Sequence, residues 1–218
     1  MPLLISQDDG ARWLLYGTAI GAVAAETVAT YLGQARAATG RRTRAVWDSF
    51  VATTIGTSHG GEASDRGTKR ILVWSAVVGL GAAIAVANVT PLRAGANTWA
   101  TLLVGIALAA LGNMLRVWAV ASLGRFFQRE VRIQEDHVVW RGGPYRWIRH
   151  PAYAGTLIAY FGFGLAIGSW IGAAIFATVV FAGYIPRIRV EEEELGRALG
   201  DAYREYARTT ARLVPGVW

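Results

Sequence analysis

From Pro151 to Pro186 the chain runs for 36 residues without an Asp, Glu, Lys or Arg. A helix rises 1.5 Å per residue and the hydrocarbon of a bilayer is about 30 Å thick, so about 20 apolar residues cross it. The run is too long for one crossing and too short for two full ones, and Gly168-Ser169 near its middle predicts a hairpin of two short or tilted helices. Three more tracts have the length of single spans. Trp13 to Leu32 is interrupted only by Glu26, and neither Ile71 to Leu92 nor Ala94 to Leu115 carries a charge. The predicted fold is all-α and integral to a membrane, with five transmembrane helices, the last two a hairpin. Composition agrees: 53% of residues are hydrophobic and 17% charged, whereas about a quarter of an ordinary soluble domain is charged. With no cysteine, a disulfide framework, a thiolate metal site and a cysteine nucleophile are all excluded. On so apolar a chain, the net charge of +7 points to anionic lipid headgroups as partners and not to nucleic acid.

Basic residues alternate as such a topology requires. Arg12 alone precedes the first helix, seven Lys and Arg fall between Gly33 and Arg70, and Arg93 alone lies in the next connection. Six more lie between Arg125 and Arg149, none at the hairpin tip, and six from Arg187 onward. The positive-inside rule then places the N-terminus outside and the tail in the cytoplasm. Trp74, Trp99, Trp147 and Trp170 fall near predicted helix ends, as an aromatic belt would. Ala22-Val23-Ala24-Ala25 imitates a signal-peptide cleavage site, but Asp8 and Asp9 spoil the basic region before it, so cleavage is not expected. Gly17 with Gly21, and Gly168 with Gly172, are spaced for close helix packing. The Gly-, Ser-, Thr- and Arg-rich segment before Ile71 reads as a partly disordered cytoplasmic loop. Heavy use of Ala, Gly and Arg suggests a GC-rich bacterial genome, and hence a bacterial inner membrane.

Polar residues with chemical potential gather where the helices meet the cytoplasm. Arg116, inside the third helix, either pairs and lines a polar cavity or snorkels to the nearby interface; Glu26 is a candidate partner. Asp136 to Tyr145 reads as an extended piece ending in a Gly142-Gly143-Pro144 turn, whose accessible backbone suits a nucleotide's ring edges and equally suits a plain re-entry loop. Pro151 at the first helical position puts His150 at the N-cap, beside unsatisfied amides and the positive end of the dipole. Tyr153, three residues on, shares that cavity. His59, His137 and His150 lack ligand spacing, so no metal is expected. In the tail, Arg187 and Glu191 share a helix face; Glu193 and Glu194 read as a solvated charge run.

Four motifs occur in order: Leu123-Gly124-Arg125-Phe126-Phe127; His137-Val138-Val139; Gly143-Pro144-Tyr145 with Arg149-His150-Pro151-Ala152-Tyr153-Ala154-Gly155; and Glu191-Glu192, Leu195, Leu199-Gly200, Tyr203, Tyr206. In this order and spacing, Arg116 to Pro215 resembles the isoprenylcysteine carboxyl methyltransferase family, within a wider group that includes phospholipid methyltransferases. The resemblance implies S-adenosylmethionine as methyl donor, bound at the cytoplasmic helix ends. It implies donor contacts at His137, Val138, Val139 and Trp140, largely through backbone, and at Tyr145, His150, Pro151, Ala152, Tyr153 and Glu191. Arg187 falls where the family places an arginine facing the substrate, so Arg187 and Glu191 are the implied catalytic pair, with Arg116 a further substrate contact. Two positions depart from the pattern: Arg132 stands near a cofactor-binding glutamine of some members, and Leu199 replaces a phenylalanine. The implied organisation is residues 1–124, helices one to three with the basic loop 34–70, and residues 125–218, the cofactor-binding region with the hairpin 151–186 and a cytoplasmic C-terminal helix.

The expected activity is methylation of a lipophilic carboxylate, such as an isoprenylcysteine or other lipid acid, at the membrane–cytoplasm interface. A carboxylate is already ionised near neutral pH and needs no general base, whereas a thiol or amine would need one that the sequence does not name. Two alternatives stay open: an NADPH-dependent membrane sterol or enone reductase, and a non-enzymatic membrane scaffold or transport protein.

Overall fold

The computed structural model describes residues 8–21, 67–89, 98–123 and 139–216. Five helices lie within them: α1 (9–21), α2 (Thr68–Asn88), α3 (Trp99–Leu123), α4 (Pro151–Ile167) and α5 (Trp170–Thr209), with a 3-10 turn at Gly143–Arg146 before α4. No strand occurs among the described residues; a parallel bridge joins Ile148 to Ala211. Among the described residues three helices are long and apolar enough to cross a membrane, at Arg70–Asn88, Trp99–Leu123 and Trp170–Thr209, while α4 is a shorter apolar helix.

The hairpin predicted from the 36-residue run is present. Gly168 ends α4 at φ 107°, a left-handed conformation that glycine adopts without penalty. Ser169 then caps α5, its Oγ accepting from the Gly172 amide at 3.0 Å. Gly168 is therefore a turn residue and not half of a packing pair. Gly172 does pack closely, since a Cβ there would lie 2.9 Å from the Ala83 carbonyl of α2.

The closest helix contact is elsewhere. Gly105 and Gly112 of α3 face Gly162 and Gly155 of antiparallel α4, and a Cβ on any of the four would lie within 3.0 Å of the other backbone. Lipid is as apolar as leucine, so burial alone does not hold two helices together there; small residues that let backbones touch do. On the other side, α2 packs against α5 around Phe176, Val180, Tyr184 and Ile188.

Two boundaries differ from the sequence reading. α2 begins at Thr68, inside the segment read as loop, because Gly67 at φ 78° forms the break and the basic first turn continues the helix outward. α5 runs on past Pro186, where a separate tail helix was expected, and is interrupted at Gly200 (φ 55°, ψ −128°). Proline removes one donor but its fixed φ is helical, whereas the Gly200 geometry is closed to a side-chain-bearing residue.

Candidate active site

Four pieces of chain converge where α4 begins and α5 leaves its apolar stretch: the 3-10 turn, the His150-Pro151 start of α4, the Arg187–Glu192 turn of α5 and the tail after Thr209. His150 occupies the N-cap of α4 as predicted, its carbonyl accepting from the Tyr153 and Ala154 amides at 3.1 Å. Its ring does not cap the helix. Nδ1 lies 3.5 Å from Glu191 Oε2 and Nε2 lies 3.3 Å from Glu192 Oε1, so the buried imidazole sits between two carboxylates.

Those carboxylates are neighbours in sequence and about 100° apart around the helix, and they serve different surroundings. Glu191 turns toward the start of α4 and the preceding turn of α5. It accepts from Arg187 Nε at 2.9 Å and from the Tyr153 hydroxyl. Arg187 is 3% exposed, and its Nη1 donates to the Thr68 hydroxyl of α2 at 3.3 Å. Tyr153 stacks on His150 at 5.5 Å and on Tyr184 at 4.3 Å, forming an aromatic column into the α2–α4–α5 core.

Glu192 turns toward the tail. It accepts from Arg149 Nε at 2.8 Å and Arg212 Nε at 2.9 Å. Burial on its own would raise its carboxyl, but hydrogen bonds from His150 and Arg149 outweigh that and hold it down to about 2. The tail is strapped to the start of α4: the Arg149 amide donates to the Ala211 carbonyl at 2.8 Å and the His150 amide to Arg212 at 3.0 Å. The Arg149 guanidinium reaches the Ala207 carbonyl at 2.8 Å and also the Thr210 carbonyl. Leu213 anchors the strap in the core beside Ile188 and Tyr184.

Beyond Gly200, α5 presents two buried tyrosines. The Tyr206 hydroxyl donates to the Tyr145 carbonyl at 2.6 Å and so fixes the 3-10 turn. The Tyr203 hydroxyl is buried without a hydrogen-bond partner among the described residues. Burial, then the Glu192 charge, pushes its ionisation up. Tyr145 is buried against Ala119 and Ala152; burial raises it as well, and both Glu191 and Arg116 act on it electrostatically.

The structure thus brings together Tyr145, His150, Tyr153, Arg187 and Glu191, with Pro151 and Ala152 shaping the helix start. Arg116 is held on the same helix start, its Nη1 donating to Thr156 Oγ1 at 3.0 Å and the Ala152 carbonyl at 3.4 Å. Val139 is half-buried and Trp140 exposed, just ahead of the turn. Arg132, His137, Val138 and Glu26 lie outside the described residues. Glu193 and Glu194 pair with Arg197; Glu193 is exposed as a solvated run requires, but Glu194 is only 17% exposed. The sequence reading passed over Thr68, Arg149, Glu192, Tyr184 and Arg212. Arg149 and Glu192 stood inside quoted motifs, but nothing local distinguishes them until the tail is seen to return.

The fold is similar to that of a solved structure. A eukaryotic intramembrane Ras methyltransferase, isoprenylcysteine carboxyl methyltransferase, matches with a TM-score of 0.65 at 21% identity, over 98% of this chain and 70% of that one. The fold is accordingly that of an all-α integral membrane protein. Among curated proteins, protein-S-isoprenylcysteine O-methyltransferase A of Arabidopsis thaliana is 35% identical over 52% of this chain and 58% of its own length. The Schizosaccharomyces pombe protein-S-isoprenylcysteine O-methyltransferase is 30% identical over 48% of this chain and 45% of its own. A methanethiol S-methyltransferase of Mycobacterium tuberculosis is 34% identical over 45% of each. The chain thus spans about half the length of the curated relatives it matches. Residues 103–197, which hold α4, the Arg187–Glu192 turn and most of α3, match the isoprenylcysteine carboxyl methyltransferase (ICMT) family.

Proposed function

We propose that the chain is an S-adenosylmethionine-dependent methyltransferase acting on a lipophilic carboxylate, an isoprenylcysteine or other lipid acid, where the helices meet the cytoplasm. One observation carries the reading: within the family-matched segment, Arg187, Glu191, Tyr153 and His150 form a buried polar cluster above an apolar helical core. Buried charges without a purpose are disfavoured in such a place.

The residues suit the donor. Glu191 is an acceptor for an amine or ribose hydroxyls, and the backbone from Val139 to Gly142 suits an adenine edge. When bound, S-adenosylmethionine supplies an electrophilic methyl group. The chain's own work is positioning. Arg187 orients the substrate carboxylate while Glu191 and Thr68 hold the guanidinium, and that shared pairing keeps the arginine from gripping the nucleophile too tightly. Arg116 adds positive charge beside the start of α4. The apolar surroundings keep water from the carboxylate, whose oxygen bonds to the methyl carbon as the carbon–sulfur bond breaks. We place the donor region in 125–218, the tail in the cytoplasm of a bacterium and the N-terminus outside its inner membrane.

A second reading, S-methylation of a thiol, is favoured by the Mycobacterium tuberculosis relative. Purified protein incubated with methyl-labelled S-adenosylmethionine and either a farnesylated cysteine acid or a small thiol separates the two. A methyl ester releases labelled methanol in alkali; a thioether does not. Labelling of neither, with binding of NADPH, moves the chain to the reductases; binding of neither cofactor leaves a scaffold or transport role.

A further inference from the structure

Tyr203 and Tyr206 are three residues apart on the segment of α5 beyond Gly200, with ring centroids 6.1 Å apart and exposures of 6% and 5%. Their rings are equally buried, but their hydroxyls are not equally served. Tyr206 donates to the Tyr145 carbonyl, whereas Tyr203 has no partner among the described residues. An unpaired buried hydroxyl is a net loss that phenylalanine would avoid in the same space. Such an atom is explained if it meets something that arrives later.

Its surroundings define what that something offers. The charges that act on Tyr203 are Glu192, Arg149 and Glu191. Both carboxylates already have donors: Arg149, Arg212 and His150 on Glu192, and Arg187, Tyr153 and His150 on Glu191. Burial and those negative charges keep the phenol protonated at neutral pH, so it acts as a donor in search of an acceptor. We infer that the Tyr203 hydroxyl is a contact for the methyl donor, donating to an acceptor oxygen or nitrogen of S-adenosylmethionine. The inference rests on the proposed donor and extends its site across the Gly200 break, beyond the family-matched residues 103–197. It also gives the break a purpose. Without the turn at Gly200 the tyrosines would continue along the α5 axis, away from the Glu191–Glu192 pair.

Tyr203→Phe and Tyr206→Phe test this by calorimetric titration with S-adenosylmethionine and by thermal unfolding without ligand, all in detergent. Tyr203→Phe is expected to weaken donor binding about tenfold, or about 1.4 kcal/mol, while leaving the ligand-free melting temperature unchanged or raised. Tyr206→Phe is expected to lower that melting temperature, because it orphans the Tyr145 carbonyl. If wild type binds the donor and Tyr203→Phe binds it equally well, the inference falls and the proposed function stands. If Tyr203→Phe lowers the ligand-free melting temperature as much as Tyr206→Phe does, its hydroxyl serves the fold and the inference also falls. If wild type does not bind the donor at all, both fall together.

Discussion

Replacing Glu192 by glutamine keeps the shape of the side chain and removes the charge that Arg149, Arg212 and His150 all meet. The carboxyl is held at about 2 against an ordinary 4.5. At about 1.4 kcal/mol per pH unit the gap corresponds to at most about 3 kcal/mol, and about 2 kcal/mol remains once solvent screening at this partly exposed carboxylate is allowed for. The cost should fall first on the strap, whose two backbone bonds run from the Arg149 and His150 amides to Ala211 and Arg212. Hydrogen exchange reads those amides directly. Local opening made easier by about 2 kcal/mol speeds their exchange about thirtyfold. The pH dependence has a definite sign. A carboxyl depressed in the folded state contributes its full stability above about 4.5 and loses it as pH falls toward 2. The melting temperatures of wild type and Glu192→Gln should therefore differ at pH 7 and converge between pH 4.5 and 2. Unchanged protection at both amides, or a gap that persists at pH 2, would show that Glu192 does not hold the strap.

Three further outcomes follow from the geometry. Gly112→Ala places a methyl against the Gly155 carbonyl and should lower the melting temperature of detergent-solubilised protein by the equivalent of about 1–3 kcal/mol; an unchanged value would mean that α3 and α4 are not in backbone contact. Gly200→Ala should cost about 1–3 kcal/mol through backbone strain alone, since nothing lies within 4 Å of its Cβ position. Gly196→Ala, equally open but helical, should be neutral or stabilising in the same assay, and equal effects at both positions would remove the reason for the break. Thr68→Val withdraws one hydrogen bond from Arg187 and should raise the KM for a lipid carboxylate about tenfold, with Thr68→Ser restoring it; a loss confined to kcat would show that Thr68 does not act through substrate binding.

What was legible in the sequence was whatever depends on runs and on neighbours along one helix. The apolar tracts, the Gly168-Ser169 turn, Pro151 after His150 and the Arg187–Glu191 face are all properties of segments shorter than a hairpin. The α3–α4 contact was missed for a physical reason. Gly105 and Gly112, like Gly155 and Gly162, are seven apart, and spacings of seven as well as of four return to one face of a helix.

The second half of the site was missed because it exists only after the chain comes back on itself. Arg212 and Arg149 are 63 positions apart, and Thr68 and Arg187 are 119 apart; no local pattern brings either pair into view. The same closure assigns the Glu-Glu pair. Adjacent residues on a helix point about 100° apart, so the two neighbouring glutamates meet largely different partners. Glu191 is joined to Arg187 and Tyr153. Glu192, joined to Arg149 and Arg212, ties down the strap beside it, and His150 touches both. Whatever moves the strap therefore moves His150 and reaches Glu191 through one ring.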